Sequence, residues 1–358
     1  MYDTVNCRYK NIIYSITNAA DSNEVIALKL DLYYNTVHVT SYQTGGKGTG
    51  SPNEDPLSSQ GAVILSPDKH FLFVVNAGSN SITSFRITSS GALVLADVKP
   101  SGGFQPISLT AYCGLLYVAN AGNGSTIASN IMGFYVDVNG MLTEIAGSSK
   151  QLSSLQAKPA CIVTNYNGRI IVVTERNTNL LSIFTMQADG SLNDPIFSNS
   201  SGTGPFGAVF FTNEILLVAE AGTNAISSYR VNPNGTLSVI SPSVLNYQKA
   251  TCWISLSENP GCAYTSNAGS NTISVYEVDW EGYMSVTNIR YSTDNGTGSP
   301  IDSSVCANNL YVLNGNQGTI SIFHIDSGGK LARTEVLINT HLPDIGSQGL
   351  ATLCFTDN

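Results

Sequence analysis

Two glutamates, Glu175 and Glu220, hold the most chemical promise in this sequence, with Arg176 beside the first and Lys158 and Lys249 in neighbouring segments. A carboxylate can take or give a proton, and a guanidinium or ammonium can steady a developing oxyanion. Gln60, Gln105 and Gln348 would add amide donors and acceptors, which makes the set suited to an anionic or hydroxylated small molecule. The same charges could instead simply pair with one another, Glu175 or Glu220 with Lys158, Arg176 or Lys249.

A repeat sets these residues apart. The stretch VAEAGTNAISSYRVNPNGTL from Val218 returns as VVNAGSNSITSFRITSSGAL from Val74, as YTSNAGSNTISVYEVDWEGYM from Tyr264, and in weaker copies elsewhere. Each copy reads as strand, Gly/Asn turn, alternating strand, Asn-Gly-like turn, strand. The first turn is anchored by Asn18, Asn76, Asn120, Glu175, Glu220, Asn267 and Asn314, spaced 44 to 58 residues apart. A further strand behind a Gly/Pro step precedes each copy, such as QPISLTA from Gln105 or KPACIVT from Lys158. Four strands per period predict a β-propeller, all-β and seven-bladed, with one domain spanning residues 1–358. The last innermost strand, from Gln348, has no successor, and the first second strand, around Asn11 to Thr17, has no predecessor. The two ends therefore complete one blade, which removes an exposed sheet edge.

That fold would gather the set. Loops after the second strands and before the innermost strands open on one face, around the central channel. Glu175 and Glu220, standing where five copies carry Asn, would be neighbours there, as would the residues that open innermost strands: Gln60, Gln105, Lys158, Lys249 and Gln348. The longest break in the repeat, Thr40 to Ala62, reads as a loop lying over one face, either a lid or a surface insertion.

Charged residues make up 11% of the chain and its net charge is −9. That balance argues against nucleic acid and anionic membranes, which call for a Lys/Arg surplus. No apolar run approaches the about 18 residues of a membrane span. The start, MYDTVNCRYK, lacks the apolar core of a signal peptide, yet four sequons, at Asn123, Asn199, Asn234 and Asn295, point to a secreted glycoprotein, with a cytosolic protein as the alternative. Seven cysteines include no CxxC; placing Cys7 and Cys354 at the same turn of the shared blade predicts a disulfide between them. His38, His70, His324 and His341 share no spacing, so no metal site is expected. No cofactor motif stands in the chain either: GTGPFG at Gly202 precedes a strand instead of opening a helix. A monomer is expected.

TCWISLSENPGCAYTSNAGSNTISVYEV, VVNAGSNSITSFRI, SPDKHFLFVVN and TGGKG followed by DPLSSQGA resemble the lactonase-like seven-bladed propeller family. It includes propeller-type 6-phosphogluconolactonase and fungal 3-carboxymuconate lactonizing enzyme, and the chain is most similar to its secreted 3-carboxymuconate cyclase-like branch. The resemblance spans essentially the whole chain and implies metal-independent lactone hydrolysis or lactone formation. It matches Glu175 to a family glutamate after a second strand. The family's His-Pro-Arg-like steps read here Gln105-Pro106-Ile107, Lys158-Pro159-Ala160 and Ser299-Pro300-Ile301, and its D-L-G-x-D turn is absent. The alternative function is a non-catalytic protein binding carbohydrate or another protein through the same face.

Overall fold

A computed structural model describes residues 9–31, 36–258, 261–294 and 296–355. The chain forms seven antiparallel sheets arranged as the blades of a propeller. Blade four shows the plan: Pro159–Thr164 innermost, then Ile170–Glu175, Leu180–Thr185 and Ile196–Asn199 at the edge. Second strands are buried on both faces and so read as continuous apolar runs, FLFVVN in Phe71–Asn76 and ILLVAE in Ile215–Glu220. Outer strands such as Leu93–Pro100 keep several residues exposed. The hairpin turns between third and fourth strands carry Gly at positive φ, from 71° at Gly91 to 91° at Gly282, where a β-carbon would be strained.

The core lies between blades. Between blades four and five, Ile170, Val172, Leu181 and Ile183 pack against Ala208, Phe210, Leu216 and Val218. Polar ties recur at these seams. Tyr14 donates to the Gly91 carbonyl (2.7 Å), Tyr117 to Gly190 (2.6 Å) and Tyr264 to Gly329 (3.1 Å), each linking a second strand to a turn of the next blade.

Closure follows the sequence reading. Gln348–Cys354 is the innermost strand of blade one and pairs antiparallel with Tyr9–Ile16, Ile12 opposite Leu353. Two details differ. In blade one Thr17 holds the turn position, donating to the Glu24 carbonyl, and Asn18 lies one residue beyond at φ 51°. Cys354, expected to pair with Cys7, is instead bonded to Cys306, while Cys7 lies outside the described residues. Both bonded cysteines end innermost strands, of blades seven and one, that lie side by side, with Cα atoms 5.7 Å apart. Cys161, Cys252 and Cys262 are buried free thiols and Cys113 is an exposed one.

Candidate active site at the channel mouth

The loop from blade one to blade two begins at residue 44, after the strand Val37–Gln43, and crosses the channel mouth. Its first part is pinned on the rim: Gly48 and Gly50 donate to Ala19 and Asn18, and Gly78 donates to Lys47. The Glu54 carbonyl then lies against Gly315 of blade seven. Finally Ser59, Gln60 and Gly61 descend into the channel as a plug. The Ser59 carbonyl accepts from Trp253 Nε1 and Gln348 Nε2, both at 2.9 Å. Gln60 N donates to Ala160 O (2.9 Å), and its side-chain amide meets Ile254 with both ends, Nε2 donating at 3.1 Å and Oε1 accepting at 2.9 Å. Gly61 N donates to Asp302 Oδ2 (3.2 Å), and Ser108 Oγ donates to Gln60 O (2.6 Å). Gly207 supplies the room, since a β-carbon there would stand 2.2 Å from Gln60 Oε1. Gln60 is therefore spent inside the protein and does not face a ligand.

Glu175 and Glu220 also turn away from the channel. Both are fully buried in cages of hydroxyls and backbone N–H groups. Ser153 N (3.1 Å), Ser153 Oγ, Thr178 Oγ1 (2.7 Å) and Ser182 Oγ donate to Glu175. Gly202 N (2.8 Å), Ser200 Oγ (3.2 Å), Ser227 Oγ (2.6 Å) and Ser243 Oγ (2.7 Å) donate to Glu220. The hydroxyl seven residues on recurs around the ring, for Asn76 with Thr83, Asn267 with Ser274 and Asn314 with Ser321. The asparagines donate to that hydroxyl, whereas the glutamates accept from it and, with a longer side chain, reach the loop from the preceding blade. Donors fill their lone pairs, and no surface is left for a substrate. Lys158 and Lys249 are exposed on the rim, and Gln105 takes a turn conformation (φ 57°) with its N–H on Asn80 Oδ1.

What the mouth brings together is Arg176, Gln348 and a residue the sequence reading passed over, Asp55. Arg176 lies over the Phe206 ring, 5.5 Å from its centroid, and Phe206 packs edge-on against Trp253. Burial lowers the guanidinium's pKa, and the charge of Asp55 pulls it back up. Burial pushes Asp55 up to about 7, against the opposing pull of Arg176, Gln348 and the N–H groups of Ser59 and Ser58. Asp55 and Arg176 form no direct salt bridge, yet Asp55 Oδ1, Arg176 Nε and Gln348 Oε1 are each buried without a hydrogen-bond partner. Both residues are half-buried. The Asp-Pro step inside the long aperiodic loop was the available signal for Asp55; its partner in blade four could be found only from the folded chain.

Beneath the plug the channel opens on the opposite face as a cavity of about 360 Å³ roofed by Gln60 and walled by the ends of the innermost strands of blades four to seven. No group of three or more His, Cys, Asp or Glu placed to hold a metal occurs among the described residues. Three of the sequon asparagines, Asn123, Asn199 and Asn234, are exposed, and Asn295 lies outside the described residues.

Residues 10–131, most of the first three blades, match the family described as lactonase, 7-bladed beta-propeller. No curated protein matches the chain in sequence. Solved structures share its architecture from end to end. The periplasmic gluconolactonase of Pseudomonas aeruginosa has a TM-score of 0.74 at 16% identity, covering 97% of this chain and 99% of that one. A proposed 6-phosphogluconolactonase from Bacteroides fragilis has a TM-score of 0.72 at 17% identity, covering 99% and 100%. A protein from Lactobacillus plantarum has a TM-score of 0.73 at 18% identity, covering 96% and 99%. The first third of the chain is thus similar to the lactonase propeller family, and its whole length shares the seven-bladed architecture of these solved structures.

Proposed function

We propose that the chain hydrolyses a small lactone at the channel mouth, with Asp55 as the proton acceptor and Arg176 as the oxyanion holder. One observation carries this reading: oppositely charged side chains face the same mouth with buried, unpartnered atoms and no salt bridge between them. In the step, water adds to the lactone carbonyl and gives its proton to Asp55. The carbonyl oxygen gathers negative charge toward Arg176. Collapse then breaks the ring acyl–oxygen bond, and the proton passes from Asp55 to the leaving alkoxide, giving the hydroxy acid. An acceptor with a pKa near 7 suits this work, and turnover rises as pH climbs through 7 and Asp55 loses its proton.

The test is hydrolysis of gluconolactone, its 6-phosphate and muconolactones by the wild type, Asp55→Asn, Arg176→Gln and a Glu175→Gln, Glu220→Gln double variant. Asp55→Asn should lower kcat about 10²- to 10⁴-fold, Arg176→Gln should lower kcat/KM, and the double variant should keep its activity. Full activity in Asp55→Asn would remove this site, and no turnover of any lactone would remove the reaction.

The second reading, a secreted glycoprotein that binds carbohydrate or protein without catalysis, is supported by the exposure of Asn123, Asn199 and Asn234. A mass shift on glycosidase treatment after expression in a secreting eukaryotic host would support secretion in either case.

A further inference from the structure

Far from the channel mouth, blades two and three enclose a cavity of about 350 Å³ on the opposite face. Its floor is apolar: Phe71 and Phe73, with ring centroids 6.1 Å apart, join Ala111, Leu115 and Val136. Val138 overhangs it from a hairpin turn and is 90% exposed, an apolar side chain at a tip where most blades place Ser, Ala or Pro. Two carboxylates stand on the rim, Asp68 and Asp137. Asp137 Oδ1 accepts from Asn139 N (2.8 Å) and Met141 N (2.9 Å), and no cation pairs with the carboxylate among the described residues. Asp68 already faces His70 Nδ1 at 3.2 Å. Arg86 is the register partner of Phe71 but does not line the cavity.

We infer that this cavity is a binding site for a small cation with an apolar body, such as an aryl or alkyl ammonium. The floor would take the apolar part in a space of ligand size. The carboxylates and the aromatic faces would favour a positive head, since ring quadrupoles attract cations. Backbone N–H groups led by Met141 hold the Asp137 carboxyl below its usual range, which keeps it ionised. At Asp68, burial raises the carboxyl, but Ser66 and His70 outweigh it. The net charge of −9 favours the approach of such a ligand. Nothing in lactone hydrolysis uses this cavity, so the inference stands apart from that reading.

Cys113, an exposed free thiol, lines the cavity and reports on it. The experiment follows alkylation of Cys113 by iodoacetamide, read by peptide mass spectrometry, with benzyltrimethylammonium, benzoate or neutral 3,3-dimethylbutanol present. Benzyltrimethylammonium should slow labelling about fivefold at millimolar concentration, benzoate should have no effect, and the alcohol should protect less. In the Asp68→Asn, Asp137→Asn double variant, which keeps the turn acceptors, that protection should fall to the level given by the alcohol. Equal protection by benzoate, no protection by the cation, or unchanged protection in a folded double variant would each overturn the inference.

Discussion

Glu220 stands at the end of an apolar run, with four donors converging on one buried carboxylate and no cation among them. Leaving those donors unmet is costly, so Glu220→Ala should destabilise the fold by about 2 to 4 kcal/mol. Glu220→Gln, whose hydroxyl neighbours can reorient, should cost far less. Urea unfolding of the two variants measures the difference, and an Ala variant as stable as Gln would refute the cage. The sequence singled out Glu175 and Glu220 correctly as breaks in a repeat. It could not show which way they point, because an Asn and a Glu at a strand end can serve the same hydroxyls. Asp55 was hidden for the opposite reason: it belongs to no repeat, and its meaning comes from Arg176, which lies more than a hundred residues away.

Among elements, the plug is the least legible and the most consequential. Its length and Gly/Pro content announced a loop over one face, but nothing local told that Gln60 would reach Ile254 across the channel. It rests partly on Asp302, a buried carboxyl of blade seven that burial pushes up to about 7 against the pull of the Gly61, Ser303 and Leu350 N–H groups. The folded chain therefore holds this proton more tightly than the unfolded one, whose Asp titrates near 4. The group's support for folding is complete below about pH 4 and is lost as pH rises through about 7. Asp302→Asn, which cannot ionise, should thus gain stability relative to wild type between pH 4 and pH 8. Asp55 shifts in the same sense and is present in both proteins, so it cancels in the comparison. Thermal melts across that range would reject the assignment if the difference stayed constant.

For the whole molecule, seven blades and the shared first blade were legible because the repeat is periodic and its two unmatched strands sit at the chain ends. The bond from Cys306 to Cys354 was missed although the ring already made blades seven and one neighbours, because Cys354 was matched to a turn within its own blade and not to the adjacent innermost strand. That bond closes a segment of 48 residues across the seam between blades seven and one, and chain-entropy reasoning assigns it about 4 kcal/mol. Cys306→Ser should therefore lower the unfolding free energy by roughly that amount, with no difference from wild type once both are reduced; equal stability under oxidising conditions would contradict it. The shared blade also bears on synthesis. During translation the strand Tyr9–Ile16 emerges more than 300 residues before its innermost partner, Gln348–Cys354. The nascent chain must carry that open edge, and a plug still lacking its Gln348 contact, while all the intervening blades are made. An unpaired strand edge invites pairing with other chains. An open first blade is thus an aggregation hazard of the growing chain that the closed ring no longer carries.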